Sequence, residues 1–424
     1  MATLARGLSP VRAVLDNGAV VLVQQTAAAP AVTINATFLA GSLYDPDATP
    51  GLAYLTARVM DRGTEHRSAD ALAEALDERG VSLRLNTTRH ALTLSCTCLT
   101  EDFPDVLALV VDVARRPAFP PEEFAKRRAD TITIIRQDDD SPAVRAVTGL
   151  VELLYGGNHP YGRPAKGTVP VIEGIDRTAV AAFHSAHVRP AVLSLAVVGD
   201  VSPDAVLARA QAELEDWAGA PAGPIVVPPP PASAARRERM FAMPGKPQTD
   251  IAYGFTTISR LDPRYCAYWM MNNILGQFGL GGRLAENIRE RQGMAYYAFS
   301  VFDANVGEGP LMVRAGVDPQ NVRRAIDAID LEVRHLGLEG PTAVEMQETR
   351  DSLIGSIPRM FETNESIAEF LQTGEQFGLG LDYDRRLPGL LDAVTRDEVA
   401  SAAAEVLEPA RAAVAVAGPH EGSA

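Results

Sequence analysis

The stretch GSLYDPDATPGLAYLTARVMDRGT, from Gly41 to Thr64, is the first of four segments that decide how this chain folds. Three further segments follow it in order. They are LYGGNHPYGRPAKGT (Leu154 to Thr168), AAFHSAHVRPAVLSLAVVGDVSP (Ala181 to Pro203) and GGRLAENIRERQGMAYYAFS (Gly281 to Ser300). Together they indicate one pattern that extends over almost all of the 424 residues.

Taken in this order, the four segments resemble the pitrilysin, or insulinase, family of zinc peptidases. The family helix carries His-x-x-Glu-His directly after Gly-x-Ala, and here Tyr54, Ala57 and Arg58 occupy those positions. Two histidines one helical turn apart with an intervening glutamate supply zinc ligands and a general base. Tyr, Ala and Arg supply neither, and the arginine cation repels a metal. The resemblance therefore implies a degenerate zinc motif without catalytic zinc.

The other candidate metal donors are sparse. The family's third zinc ligand is a glutamate about 75 residues past the motif, which falls here near Thr133, and no Glu occurs between Phe124 and Val151. The acidic run Asp138 to Asp140 is typical of a solvated helix end. His184 and His187 have ligand-like spacing but no accompanying third donor. We therefore expect no metal and no cofactor in this chain.

Composition narrows the class of protein further. The chain has 46% hydrophobic and 22% charged residues, a formal charge of -15 and a pI near 5.0, which is the balance of a globular protein without a basic stripe for nucleic acid. The first residues lack a secretory signal, and no window reaches the roughly 18 apolar residues of a membrane span. We expect a cytoplasmic protein. The three cysteines, Cys96, Cys98 and Cys266, are expected to be ordinary buried thiols.

The chain contains an internal duplication. A stretch rich in Pro and Ala, residues 218–239, divides it nearly in half. On each side, a helical pattern ends at a glycine, Gly80 or Gly293, and is followed by alternating strands, further helices and a closing strand. The sequence predicts an N-terminal domain over 1–217, a linker over 218–239 and a C-terminal domain over 240–424.

The duplicated pattern predicts an α+β protein with two related αβ domains. Alternating apolar and polar strand residues indicate that helices cover one face of each sheet, and that the other face meets a cavity or a partner. The family has this architecture, with the two domains facing each other across a cavity.

Arg289 and Tyr296 are the candidate catalytic residues. They lie seven residues apart, with Arg289 near the end of a predicted helix and Tyr296 on the strand that follows Gly293. Glycine favours a helix end because it tolerates positive φ. In the family's active enzymes, an Arg and a Tyr at this spacing hydrogen-bond the substrate carbonyl. The resemblance implies the same transition-state role for this pair, acting in trans.

Successive residues of a strand point to opposite faces of its sheet, so alternation predicts the face on which each residue near Tyr296 lies. We expect one face to be the core, made of Tyr297, Phe299 and Val301, and the opposite face to point away from the helices, made of Tyr296, Ala298 and Ser300.

Comparison of the two halves supports a functional interpretation of the pair. Aligning Gly80 with Gly293 places Leu76 opposite Arg289 and Leu83 opposite Tyr296. The fold evidently accepts leucine at both positions, whereas a guanidinium and a phenol are groups that stabilise an oxyanion. The structural alternative is that Arg289 caps the helix or pairs with Glu286 or Glu290 and that Tyr296 only packs.

The loop LGQFGLGGRL, Leu275 to Leu284, is rich in glycine but lacks the spacing of a phosphate-binding loop. Its position matches a glycine-rich, substrate-handling loop in the non-catalytic subunit of mitochondrial processing peptidase. Gly279, Gly281 and Gly282 are therefore candidates for a substrate gate, and the alternative is a plain turn that enters the helix.

These observations favour a zinc-free subunit of a heterodimeric metallopeptidase, similar to that mitochondrial subunit and to bacterial heterodimeric relatives. A homologous partner with an intact His-x-x-Glu-His motif would supply the zinc, and a peptide or unfolded polypeptide would be the substrate. Without that partner we expect the chain to be inactive. The alternatives are a non-enzymatic scaffold or peptide-binding subunit, like the core subunits of respiratory complexes, and a homodimer that only binds peptides.

Overall fold

The computed structural model describes residues 7–219, 226–277 and 281–419. The strands are Val11–Val14 (β1), Val20–Gln25 (β2), Ala31–Phe38 (β3), Arg84–Thr87 (β4), Leu92–Leu99 (β5), Leu193–Gly199 (β6), Arg237–Ala242 (β7), Thr249–Thr256 (β8), Ala295–Phe302 (β9), Pro310–Val317 (β10) and Ala413–Gly418 (β11).

The α-helices lie between and after these strands. They are Leu52–Met60 (α1), Ala69–Asp77 (α2), Phe103–Arg115 (α3), Pro121–Asp139 (α4), Pro142–Tyr155 (α5), Val169–Gly174 (α6), Arg177–His187 (α7), Pro203–Leu214 (α8), Tyr265–Asn272 (α9), Val322–Glu339 (α10), Ala343–Ser356 (α11), Asn364–Gln376 (α12), Tyr383–Asp392 (α13) and Arg396–Val406 (α14). Two segments, Asn273–Gln277 and Ala285–Arg291, are π-helical. None of the helices in the described ranges is long and apolar enough to cross a bilayer.

Two sheets confirm the predicted α+β class. The first has the order β1-β2-β6-β3-β5-β4 and the second has the order β7-β11-β8-β10-β9. In both, the closing strand of a half inserts between earlier strands, parallel to one neighbour and antiparallel to the other. The two orders match strand for strand except that the first sheet has β1 in addition, as expected for a duplication.

The described chain forms two compact units. The first unit contains residues 7–135, 164–219 and 358–385, and the second contains 136–163, 226–277, 281–357 and 386–419. Each half of the chain therefore contributes one segment to the unit that is built mainly from the other half. The domain boundaries expected from the sequence follow chain order and do not include this exchange of segments. They remain a proposal.

In the first unit, the exchanged helix α12 lies on the middle of the sheet. The amide of Gln372 donates hydrogen bonds to the carbonyl oxygens of Asn35 (2.7 Å) and Ser194 (2.8 Å), on β3 and β6. Its side-chain oxygen accepts a hydrogen bond from Thr37, at 2.9 Å. Leu371 packs beside it on buried residues of β2 and β6. Polar and apolar contacts together hold the helix on this face.

In the second unit, α5 covers the corresponding face. A Cβ on Gly149 of α5 would lie 2.3 Å from the ring of Phe241 on β7, so any larger residue would have to displace that ring. Every residue of β11 is buried. In each unit the exchanged helix therefore covers the central strands on the sheet face that we expected to meet a cavity or a partner.

Asp112, on α3, is the centre of a polar cluster in the first unit. Its carboxylate accepts hydrogen bonds from the hydroxyl of Thr64 (2.7 Å) and from Arg67 and Arg116 (3.2 Å each). Nδ1 of His66 lies 2.9 Å from the same carboxylate. Burial alone would raise the pKa of Asp112, but the hydrogen bonds from Thr64, His66 and Arg116 lower it below its ordinary value. The carboxylate is therefore charged at neutral pH and joins the loop after α1 to α3.

We expect Asp112→Ala to lower the free energy of unfolding by about 2 kcal/mol, because the buried Thr64 hydroxyl loses its acceptor. Urea denaturation measures this change. Because the folded pKa is depressed, the stabilisation is present at neutral pH and is lost as the pH falls through the folded pKa. The control is Asp105→Ala, which removes an exposed partner of Arg79 and should have little effect. Equal losses in the two variants would contradict the prediction.

Candidate functional site

Helix α1 carries the three positions of the degenerate zinc motif. Its first turn is held by the buried carboxylate of Asp45, which accepts hydrogen bonds from the backbone amides of Gly51 and Ala53, both at 2.7 Å. Of its nine residues, all except Tyr54 and Arg58 are buried. The structure therefore brings Tyr54 and Arg58 together, one helical turn apart on the outer side, and places Ala57 in the core with 2% exposure.

The side chains at these positions do not fit a zinc ion. The guanidinium carbon of Arg58 lies 5.8 Å from the ring centroid of Tyr54, and the ammonium of Lys166 lies 5.9 Å from the same centroid. Two cations thus flank the ring. Thr133, near the expected third ligand position, hydrogen-bonds back to the carbonyl of Ala129 on its own helix. In the described ranges, no group of three or more His, Cys, Asp or Glu side chains could hold a metal ion.

The other residues considered as metal donors have structural contacts. The Nε2 atom of His184 lies 2.7 Å from the carbonyl oxygen of Ala114, and burial lowers the pKa of this histidine. His187 packs on Phe183, with ring centroids 4.6 Å apart. Asp140 pairs with Lys246 at 2.7 Å.

The cysteines agree with the expectation of ordinary buried thiols on β5. Cys96 and Cys98 are free and buried, and burial raises the pKa of Cys96 to about 12 and that of Cys98 to about 11. Both therefore stay protonated. Cys266 is free and half-buried.

Arg289 and Tyr296 lie on either side of a tight turn in the second unit. The π-helical segment ends just before Gly293, which adopts φ 61°. The backbone amide of Gly293 donates a hydrogen bond to the carbonyl oxygen of Arg289, at 3.0 Å. A Cβ on Gly293 would meet no atom within 4 Å, so the positive φ, and not space, requires glycine there. Tyr296 then stands at the second position of β9 with 83% exposure. The predicted helix end at Gly293 is confirmed.

Arg289 makes one weak ion pair. Its Nε lies 3.4 Å from a carboxylate oxygen of Glu290, and both side chains are about half exposed. Glu286, the other expected partner, pairs with Arg291 instead. Within the described ranges, no hydrogen bond joins Arg289 to Tyr296. Both side chains are therefore open to solvent.

The faces of β9 are the reverse of the expected ones. Ala298 and Ser300 are buried, and the hydroxyl of Ser300 donates to the carbonyl of Asn272 at the end of α9, at 3.1 Å. Phe299 is half-buried on the opposite face. Tyr296 is exposed although it shares the helix-packed face, because it stands at the start of the strand beside the turn.

The half-buried face of β9 holds a polar contact that sequence reasoning missed. The Tyr297 hydroxyl donates to the carboxylate of Asp250 on β8, which also accepts from Gln248. Burial, and then this hydrogen bond, raise the pKa of Tyr297. The sequence feature that could have indicated this contact is the aspartate in TDIAYGFT, an otherwise largely apolar strand.

The two halves differ at the candidate pair. Gly80 adopts φ 62°, which matches Gly293. Leu76 is buried and Leu83 packs against the core of the first unit, whereas their counterparts in the second unit are exposed. The equivalent turn therefore forms without an arginine or an exposed tyrosine.

Close backbone contacts hold the two ends of the glycine loop together. A Cβ on Gly282 would lie 2.8 Å from the Cα of Gly276, and one on Gly276 would lie 2.8 Å from the backbone nitrogen of Ser300. Both glycines are needed for close backbone approach. Gly281 is exposed, and Gly279 lies outside the described residues. The gate role stays a prediction.

Comparisons with known proteins define the class of protein. Residues 20–164 match the family model described as Insulinase (Peptidase family M16), and residues 174–353 match the model described as Peptidase M16 inactive domain. The chain therefore belongs to the M16, or insulinase, family of peptidases, and the resemblance seen in the sequence is confirmed.

Several relatives are similar over much of their length. An uncharacterized zinc protease of Streptomyces coelicolor is 25% identical over 89% of this chain and 83% of its own. One from Mycobacterium tuberculosis is 24% identical over 98% and 94%. Cytochrome b-c1 complex subunit 1 of Mus musculus is 25% identical over 50% of this chain and 45% of its own.

Solved structures share the fold. The peptidase M16 inactive domain from Pseudomonas fluorescens superposes with a TM-score of 0.90 at 24% identity, covering 98% of this chain and 99% of that one. A protease from Helicobacter pylori gives 0.89 at 16% identity, covering 98% and 100%.

We expect the purified chain, incubated with zinc and then dialysed, to retain far less than one zinc per chain by elemental analysis. Arg58→His should not change this, because a single imidazole leaves the other donors missing. Arg62→His, just past the end of α1, controls for adventitious binding by an added imidazole. Stoichiometric zinc in the unmodified chain would contradict the prediction.

Proposed function

We propose that this chain is the zinc-free subunit of a heterodimeric M16 peptidase. A homologous partner with an intact His-x-x-Glu-His motif binds the zinc, and this chain contributes Arg289 and Tyr296 together with part of the peptide-binding surface. The observation that carries the proposal is that these two side chains are exposed where the first half has buried or packed leucines. Their exposure leaves them little packing role, so a functional role explains them better.

The chemistry of the pair suits an oxyanion. A guanidinium and a phenol both donate hydrogen bonds, and such donors stabilise the charge that develops on a carbonyl oxygen during peptide hydrolysis. Among the residues that the structure describes, Arg289 pairs only with Glu290, and both side chains are about half exposed. Because such pairs contribute about 0 to 1 kcal/mol, the guanidinium is released to a substrate at little cost.

The ligand proposed is a peptide or an unfolded polypeptide. The strands β4 and β9 lie at sheet edges. An extended peptide pairs with such an edge through its backbone and is selected only loosely by sequence. Gly281 and Gly282 would lie in a gate over the bound peptide, where Gly281 is exposed and Gly282 packs closely on Gly276.

A scaffold role is the second candidate. The similarity to cytochrome b-c1 complex subunit 1 of Mus musculus, over half of this chain, favours it. In a scaffold, Arg289 and Tyr296 would have no catalytic effect, and this chain would hold peptides without taking part in their cleavage.

The two candidates predict different kinetics. We expect this chain, coexpressed with a zinc-bearing M16 partner from an adjacent reading frame, to cleave peptides in a chelator-sensitive manner. Arg289→Ala should lower kcat by about tenfold or more, because one oxyanion donor is lost. Tyr296→Phe, which removes only the hydroxyl, should also lower it.

The matched control is Arg291→Ala, which removes a neighbouring exposed arginine that pairs with Glu286. Its turnover should equal that of the unmodified pair, and size-exclusion chromatography should show an intact complex for all variants. Unchanged turnover in Arg289→Ala would reject the catalytic role and favour the scaffold.

A further inference from the structure

Tyr54, Arg58 and Lys166 form a cationic cluster at the former zinc position, which we call the Tyr54 cluster. Tyr54 and Arg58 are the two residues of α1 that are not buried, and Lys166 is half-buried beside them. Both cations lie within 6 Å of the Tyr54 ring centroid, the range of a cation–π contact. The surface of α1 that remains accessible is therefore positively charged.

Arg58 differs from the arginines around it in having no counter-ion in contact. In the part of the chain that the structure describes, no carboxylate lies within 4 Å of it, and its Nε is buried without an acceptor. The Nε atoms of Arg62 and Arg127 are buried in the same way, but each of those side chains contacts a carboxylate through another nitrogen. Buried donors without acceptors cost free energy.

The nearest carboxylate is shared among several cations. Asp61 interacts with Arg58 electrostatically, but the Asp61 carboxylate contacts Arg62 at 3.0 Å, and burial raises its pKa. Arg127 also acts on Asp61, and its own contacts are Glu123 and Asp130. Lys166 has contacts of its own and adds positive charge. The hydroxyl of Tyr54 has no hydrogen-bond partner among the described residues.

We propose that the Tyr54 cluster binds a carboxylate of a bound peptide. A guanidinium offers a planar fork of donors that matches a carboxylate, and the Tyr54 hydroxyl, one turn away, offers a further donor. Helix α1 packs against β4, the edge strand of the first sheet, so a peptide that adds to this edge runs beside α1. The inference rests on the proposed function, in which the ligand is a peptide.

The test measures peptide binding to this chain alone, by fluorescence anisotropy. The probe is a dansyl-labelled peptide of alternating Thr and Val residues, without acidic side chains. It is prepared with a C-terminal carboxylate, with a C-terminal carboxamide, and as the carboxamide with one internal Glu. The third form tells a side-chain carboxylate from a terminal one.

We expect the carboxylate form to bind about tenfold more tightly than the carboxamide, and this difference to disappear in Arg58→Ala. If the internal Glu restores tight binding, a side-chain carboxylate is an equally good ligand. Arg58→Lys keeps the charge but loses the fork and should retain part of the difference. Arg209→Ala, which removes an arginine of α8 that pairs with Glu213, is the control and should keep all of it. Thermal unfolding checks that each variant is folded, and Arg58→Gln replaces Arg58→Ala if that variant is not.

Equal affinity for the two forms, a difference that persists in Arg58→Ala, or no binding of any form would overturn the inference. The result of this binding test does not depend on the result of the turnover test with Arg289→Ala. Binding that depends on Arg58 in a chain whose Arg289→Ala variant turns over normally supports a peptide-holding scaffold. Binding independent of Arg58 with impaired Arg289→Ala turnover rejects only the carboxylate site.

Discussion

The architecture depends on burial of both faces of two mixed sheets. The central strands β3, β6, β8 and β11 are buried along nearly their whole length, and each square ångström of apolar surface left in water costs about 25 cal/mol. Helices from the same half cover only one face. The other is covered by α12 in the first unit and by α5 in the second. The amide of Gln372 reaches the carbonyl oxygens of the strands. Gly149 has no side chain, so its helix approaches the sheet closely.

The same requirement for burial determines how helix α1, which carries the candidate motif positions, packs. Helix α1 still packs as a structural element, with Asp45 holding its first turn and seven of its nine residues buried. Ala57 lies in the core, with 2% exposure. Tyr54 and Arg58 lie on the outer side and supply no zinc donors. The accessible surface of this helix is therefore cationic, while its packing side serves the fold.

Much of the candidate site was predictable from the sequence because it is encoded locally. Gly293 marks a helix end, its match with Gly80 marks the duplicated turn, and both adopt the positive φ that this turn needs. The exposure of Arg289 and Tyr296 agrees with the contrast to Leu76 and Leu83. The assignment of strand faces failed because alternation separates Tyr297 from Ala298 without indicating which one meets a helix.

The amino-acid sequence by itself determined the α+β class, the duplicated strand order and the absence of zinc donors at the motif, because periodicity, glycine turns and ligand chemistry depend on residues near each other in the chain. Tertiary structure alone decided which helix covers which sheet, that Ala298 and Ser300 lie inside, and that Arg58 has no counter-ion in contact. Those outcomes depend on contacts between residues far apart in sequence, where packing area and charge, and not local pattern, select the partner.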